Sequence, residues 1–403
     1  MRIVFLLIRA DEPGAVAPAV LTRAGHLAAR HDVEVVSVFR TRDRPHTAPD
    51  PRVRLRHLVD RTGPGPVPVP LRPTALTDRV RQQLAAAPGE LVDPAEEPGF
   101  DALTDIELTL ALRTLDTDVL VTASPALLPV AADHAPAAVV RIHEEHGHGQ
   151  SGLPARVGEC DAVVVRTERA RRRLALALGA GAPRLAAIPY PAPDGFRPRS
   201  SRTTRTAVVA GPLTPHKQVD HAITAFASAS ASAGTPPDGP LWRLRVFGDG
   251  PELPWLRRQV AELGLYERVE LLGPSPYMAQ EWAKASFAVL PSASGEACPR
   301  ALLEAYAAGV PAVAYDVPGG PAEVVRHGVD GLLVPPDDVT ALAGALGLLM
   351  AEDAELLHRL GSRARAGTER FAAEGVTRAW EELCAELVAA RAERAEAGSY
   401  DRG

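Results

Sequence analysis

Lysine is nearly absent from this chain of 403 residues: Lys217 and Lys284 stand against 42 arginines. A bias of that size says little about function, but it makes a lysine at a motif position informative. Cysteine is scarce too. Cys160, Cys298 and Cys384 are far apart and odd in number, which excludes a disulfide framework and any CxxC motif and suits a reducing, cytoplasmic setting. No apolar run is long enough to span a bilayer, which takes about 20 residues. The opening MRIVFLLIRA also lacks the small-residue cleavage site of a signal peptide, so it is expected to be a buried first strand. Positive charge is not in excess: the net charge of −6 argues against a nucleic-acid partner.

What is present is an alternation of strands and helices. RIVFLLI at 2–8 precedes a helical stretch at 16–30 and then DVEVVSVF at 32–39, the strand–helix–strand unit of a parallel sheet. The segments 62–75 and 88–99 are rich in Pro, Gly and acids and are expected to be exposed loops. The alternation resumes through DVLVTAS, AAVVRIHEE and DAVVVRT, breaks at IPYPAPDGFRPRSSRT, and starts again at TAVVAG. These changes set an N-terminal domain at 1–190, a linker at 191–204 and a second domain at 205–375. A C-terminal helix and tail at 376–403 are expected to return to the first domain.

Chemistry concentrates in SGEACPRALLEAYAAGVPAVAYD, residues 294–316. Pro299 suits the first position of a helix and Gly309 its C-terminal stop. A small-residue turn before a helix offers free backbone N–H groups to an anion such as a diphosphate. Glu296 in the turn and Glu304 in the helix are poor phosphate ligands but good acceptors for sugar and ribose hydroxyls. Glu304 could equally pair with Arg300, four residues earlier, and spacing alone leaves both readings open. In VVAGPLTPHKQVDHAITAF a strand ends at Gly211 and Lys217 precedes a helix, where a lysine can face a phosphate as a point charge or be an ordinary surface residue.

The Glu-x7-Glu segment, the Gly-Pro-Leu…Lys segment, FGDGPEL and HGVDGLLVPPDD together resemble family 4 of the retaining glycosyltransferases. The likeness covers nearly the whole chain and is strongest from 205 to 340. HKQVDHAITAF and YDVPGGPAEVV are most similar to the branch of poly(glycerol-phosphate) α-glucosyltransferases and their actinobacterial relatives. The resemblance implies an α/β fold of the GT-B type, two Rossmann-like doubly wound domains facing a cleft, with the nucleotide sugar held mainly by the second. It implies a metal-independent, retaining transfer of a hexose from a nucleoside diphosphate sugar to an unknown acceptor hydroxyl, with no cofactor. UDP is the expected base, and GDP stays open. Carried over by position, Glu296 contacts the donor sugar, Glu304 the ribose, and Lys217 with the backbone of Ala297 and Cys298 the diphosphate. Pro299 and Gly211 border that site, and Gly14 lies in the N-domain loop nearest the phosphates. Two departures stand out. The family usually has Gly-Arg-Leu where this chain has Gly211-Pro212-Leu213, and a double glycine followed by an arginine where it has Gly14-Ala15-Val16-Ala17-Pro18. Each lost charge-assisted contact is worth about 1.5–3 kcal/mol. The losses motivate a rival, a catalytically impaired GT-B protein serving as a binding or partner subunit.

RIHEEHGHGQ, residues 141–150, resembles a metal cluster at first sight. Zinc-binding His-Glu-x-x-His places its histidines four apart on a helix. His143 and His146 are three apart, after a strand, and glycines follow, so no metal is expected, although a hydrolase built on this cluster stays a further rival. The resemblance implies a functional histidine in this N-domain loop, with His146 the better candidate and Glu145 second. The plain alternative is an exposed polar loop. Asp116-Thr117-Asp118 precedes its strand and is expected to be a helix–strand turn, and Gly248-Asp249-Gly250 a supporting turn. The run Arg169, Arg171, Arg172, Arg173 is expected to be a solvated helix face, leaving open a phosphate-bearing acceptor or a peripheral membrane contact.

Overall fold

The structure, a computed structural model, describes residues 1–12, 16–63, 67–68, 77–93, 97–146, 156–193, 199–232, 241–293, 300–317, 320–351 and 354–400. The chain divides into two compact units. Unit 1 holds Met1–Arg166, Arg171–Ile188 and the chain from Val376 on, and unit 2 holds Thr167–Ala170 and Pro189–Gly375.

Unit 1 runs β1 (Arg2–Arg9), α1 (Val16–Leu27), β2 (Asp32–Arg40), β3 (Arg54–Asp60), β4 (Val67–Pro68), α2 (Asp78–Ala86), α3 (Ala102–Arg113), β5 (Val119–Thr122), α4 (Leu127–His134), β6 (Val140–Glu144), β7 (Ala162–Val165), α5 (Glu168–Leu178, from Arg171 on) and β8 (Arg184–Ala187). The sheet order is β4-β3-β2-β1-β5-β6-β7-β8. All of its pairings are parallel except β4 on β3. Inner strands of a parallel sheet are covered on both faces, and β5 and β7 are buried at every residue.

Unit 2 runs β9 (Thr206–Ala210), α6 (Val219–Ser232), β10 (Arg243–Phe247), α7 (Leu253–Glu262), β11 (Val269–Leu271), α8 (Met278–Ala283), β12 (Phe287–Leu290), α9 (Arg300–Ala307), β13 (Ala312–Tyr315), β14 (Gly331–Val334), α10 (Val339–Met350) and α11 (Ala354–Gly367). Its sheet, β11-β10-β9-β12-β13-β14, is parallel throughout. α12 (Ala373–Tyr400) starts in unit 2 and continues into unit 1. There Trp380 is fully buried, edge-on to Phe5 of β1 with centroids 6.3 Å apart.

Several expectations need correction. The segment 62–75 contains β4, paired with β3 through Asp60 and Val67. The segment 88–99 is not wholly exposed, because Val92 is buried in the core beneath α3 and α4. The helical stretch expected from residue 16 is present as α1, which opens at Val16; Pro18 is tolerated in its first turn because the N–H groups there lack helical partners anyway. The stretch expected as a linker is fastened to unit 2 in its described parts: Ala192 N–H donates to Phe371 O at 2.8 Å and Ser200 N–H to Ala308 O at 2.9 Å. Among the described residues no helix is long and apolar enough to cross a membrane.

Candidate functional site

In unit 2 the strand order reverses between β9 and β12, the point where ligands enter open α/β sheets beyond the strands' carboxyl ends. A pocket opens there, lined by Gly211, Pro212, Lys217, Ser292 and Ala301 together with the strand ends. The apolar strand TAVVA stops at Gly211, whose φ of +152° suits a residue without a Cβ. Its N–H donates to Phe247 O at 3.0 Å, and Leu213 N–H to Asp249 O at 2.9 Å. The Gly248-Asp249-Gly250 turn thus braces the pocket loop. A Cβ on Gly248 would lie 1.8 Å from Gly211 O, so close backbone packing requires glycine here.

Lys217 closes a short 3-10 turn, Pro215–Lys217, before α6. His216 O accepts from Ala293 N–H at 2.9 Å, tying this turn to the loop after β12. The half-buried Lys217 stem runs past Gly211, with Cε 3.8 Å from the position a Cβ there would take. Lys217 and Gly211 therefore share the pocket.

Glu304 stands one turn into α9. Its Oε2 accepts from the Trp282 indole N–H at 3.3 Å, and its Oε1 lies 3.9 Å from Arg300. Burial raises its pKa, opposed by the charge of Arg300 and the Trp282 hydrogen bond. The Arg300 pair read from the spacing is present but long. The stop after α9 is as expected, with Gly309 at φ +77° and its N–H donating to Tyr306 O at 2.9 Å. Gly14, Glu296, Ala297, Cys298 and Pro299 lie outside the described residues.

In unit 1 the RIHEEH stretch departs from the polar-loop expectation. His143 and Glu144 are the last residues of β6 and fully buried. Neighbouring strand residues point to opposite faces, so the apparent cluster is split by the sheet. On one side His143 Nδ1 meets Thr122 Oγ1 at 3.1 Å. On the other Glu144 forms ion pairs with Arg23 of α1 and Arg166 after β7, both buried. The Arg23 guanidinium stacks 4.7 Å from the Trp380 ring centroid, and Arg166 also donates to Ile188 O at 3.1 Å. His146 lies with Nε2 3.4 Å from Glu144 Oε1, its side chain 2% exposed. Sequence reasoning missed Arg23, Arg166 and Trp282. Arg23 did leave a signal: it shares the apolar face of α1 with Val20, Ala24 and Leu27, where an unpaired charge is not tolerated.

The remaining motifs fall into structural places. Asp116-Thr117-Asp118 lies between α3 and β5, with Asp118 accepting from Arg2 N–H at 2.8 Å. α5, carrying the arginine run, has no buried residue, and its Leu176 is 86% exposed.

Residues 195–367 match the family described as Glycosyl transferases group 1. An exopolysaccharide phosphotransferase of Streptomyces coelicolor is 53% identical over 397 residues, covering 97% of this chain and 41% of the relative. The chain spans less than half the length of the curated relatives it matches. Among solved structures, a mutant of S. aureus TarM in complex with fondaparinux, α-GlcNAc-glycerol and UDP is similar with a TM-score of 0.74 at 13% identity, covering 95% of this chain and 100% of that one. Anabaena HepE in complex with UDP-glucose gives a TM-score of 0.67 at 18% identity, covering 96% and 99%. At such identities the likeness is one of fold: two Rossmann-like, parallel-sheet α/β domains of the GT-B type.

Proposed function

From the group 1 glycosyl transferase match over residues 195–367, we propose that this chain moves a hexose from a nucleoside diphosphate sugar, UDP before GDP, to an acceptor hydroxyl. Transfer retains the anomeric configuration and needs no metal ion. The observation that carries this proposal is the pocket at the β9/β12 switch point, where Lys217 shares the wall with the glycine turn of Gly211. UDP and UDP-glucose in the neighbours' crystals support the choice of base.

Lys217 and the backbone of Ala297 and Cys298, with Pro299 beside them, hold the diphosphate. Glu304 accepts from ribose hydroxyls and Glu296 from hydroxyls of the sugar. Gly14 and His146 belong to the N-domain side, with His146 the acceptor-side candidate. The acceptor oxygen attacks on the face the diphosphate leaves. Its bond to the anomeric carbon forms as the bond to the diphosphate breaks, and a diphosphate oxygen takes the hydroxyl proton. Lys217 stabilises the charge that develops on the leaving group, an electrostatic term of the kind that dominates many enzymes. The Streptomyces relative's name supports a polysaccharide acceptor. The phosphotransfer in that name is no part of the proposal, because the chain spans 41% of that protein.

Thermal shifts with UDP, GDP and ADP, each with and without a chelator, test the donor site. A ligand at 100 times its Kd adds about 2.7 kcal/mol to stability. A chelator-insensitive shift with one nucleotide is expected. Absence of any shift removes the proposal and favours a binding subunit without donor chemistry.

A further inference from the structure

We propose that Gln218 is a positioning residue: by bonding to Asp337 it fixes the turn from which Lys217 enters the donor pocket. This rests on the donor-site proposal above. A lysine carries its charge on a flexible four-carbon stem, so the place where the stem starts decides where the charge can go. For Lys217 that place is the short 3-10 turn Pro215–Lys217, and Gln218 closes the turn with φ +47° and ψ +44°. This is the left-handed region, where a Cβ is crowded and glycine is the residue at ease. Gln218 nevertheless adopts it, and its N–H donates to Pro215 O at 3.2 Å.

The side chain supplies the reason. Gln218 Nε2 donates to Asp337 Oδ1 at 2.5 Å. Asp337 follows β14 and is itself left-handed, at φ +61°, which an aspartate tolerates. Five non-glycine residues have positive φ among the described residues, and these two are bonded to each other across 119 positions. Strained backbone persists where its surroundings over-determine it, and it gathers at functional sites. A glycine at 218 would relieve the strain but could not make the bond. The far end of the tether is itself anchored, because the next residue, Asp338, caps α10 by accepting from Ala341 N–H at 2.8 Å. On the other flank of Lys217, His216 O accepts from Ala293 N–H after β12. One turn further on, His221 Nδ1 meets the Tyr315 hydroxyl of β13 at 3.0 Å. Lys217 is thus set between two neighbours tied to different strand ends. A turn this short could pivot on one tie, and the second fixes the direction of the stem. A charge held in place before its ligand arrives needs no reorganisation to act on it.

Calorimetric titration of the whole chain tests this, using whichever of UDP and GDP binds more tightly, with the matching nucleoside. Gln218→Gly is expected to weaken the diphosphate roughly two- to tenfold and to leave the nucleoside unchanged. Glycine is at ease at this φ, so far-UV circular dichroism of the variant should match the parent. Asp337→Gly, which removes the tether from its other end, should show the same selective loss. Asp337→Asn keeps both the acceptor oxygen and the tolerance for left-handed backbone and should retain the parent's affinity. In a Lys217→Ala background Gln218→Gly should cause no further loss, because two residues acting through one contact are not additive. Diphosphate affinity equal to the parent's in Gln218→Gly overturns the assignment. So does an equal loss for the nucleoside, which would mark a general distortion of the pocket, and so does a full further loss in the Lys217→Ala background. If the parent binds neither diphosphate, the donor-site proposal itself falls and takes this inference with it.

Discussion

At the scale of single residues, Glu304 is held by opposing forces. Burial raises its pKa while Trp282 and Arg300 favour the charged form. A carboxyl whose pKa is raised on folding stabilises the fold below its unfolded value, about 4.3, and that contribution is lost as pH rises through the folded value. At neutral pH the ionised group therefore costs stability. Glu304→Gln keeps the shape and the acceptor for Trp282, so denaturant midpoints at pH 7 should rise, with the advantage vanishing below about pH 4. The same substitution should weaken UDP binding if Glu304 holds the ribose; unchanged affinity removes it from the donor site. Glu144 is the opposite case. It compensates two buried guanidiniums, and removing one partner of a buried ion pair costs about 3–5 kcal/mol. Urea unfolding of Glu144→Gln should show a loss of that size, and a loss under 1 kcal/mol, the range of about 0–1 kcal/mol for exposed pairs, would mean that Arg23 and Arg166 reach solvent.

At the scale of elements, the two glycine classes predict opposite outcomes. Gly248→Ala places a methyl 1.8 Å from Gly211 O, at φ +145°. Both the strain and the clash fall on the loop that carries the pocket, so nucleotide binding and stability should drop together, by more than about 2 kcal/mol in unfolding free energy. Gly344, exposed inside α10, has nothing within 4 Å of an added Cβ. Gly344→Ala should stabilise by about 0.5–1 kcal/mol and leave binding alone. The same contrast explains what could be seen in the sequence. β1, β9, β12 and β13 are apolar runs, because a parallel sheet buries both faces of its inner strands, and Gly309 marks the end of α9 because a left-handed residue was needed there. β3 escaped notice because RLRHLVD carries charge at positions that elsewhere would be buried. Arg54 and Arg56 pair with Asp32 and Glu34 of β2, and a partner about 22 residues away leaves no local period. The polar stretch at 141–146 misled for the same reason: Glu144 is buried because Arg23 and Arg166 come to it from distant parts of the chain, and composition alone cannot anticipate that meeting.

At the scale of the whole molecule, the C-terminal helix links the chain's last segment to its first strand. Trp380 packs edge-on to Phe5 and over Arg23, while Arg391 of α12 holds Asp161 before β7 at 2.6 Å. Glu381 receives Arg30 at 3.0 Å, and Glu386 receives Arg184 of β8 at 3.0 Å. All of these partners lie in unit 1, so α12 completes the core of that unit although the chain reaches it only after all of unit 2. Trp380→Ala should therefore cost about 3–5 kcal/mol, and the cost should be local. In hydrogen exchange followed by mass spectrometry, protection should fall in β1, β5, β6 and α1 and persist in β9 through β14. Nucleotide binding to the pocket proposed as the donor site in unit 2 should survive the substitution under conditions where unit 1 remains folded. Loss of protection spread evenly over both units would show that the chain unfolds as one cooperative body, and that the C-terminal helix stabilises the molecule as a whole and not the unit it packs against.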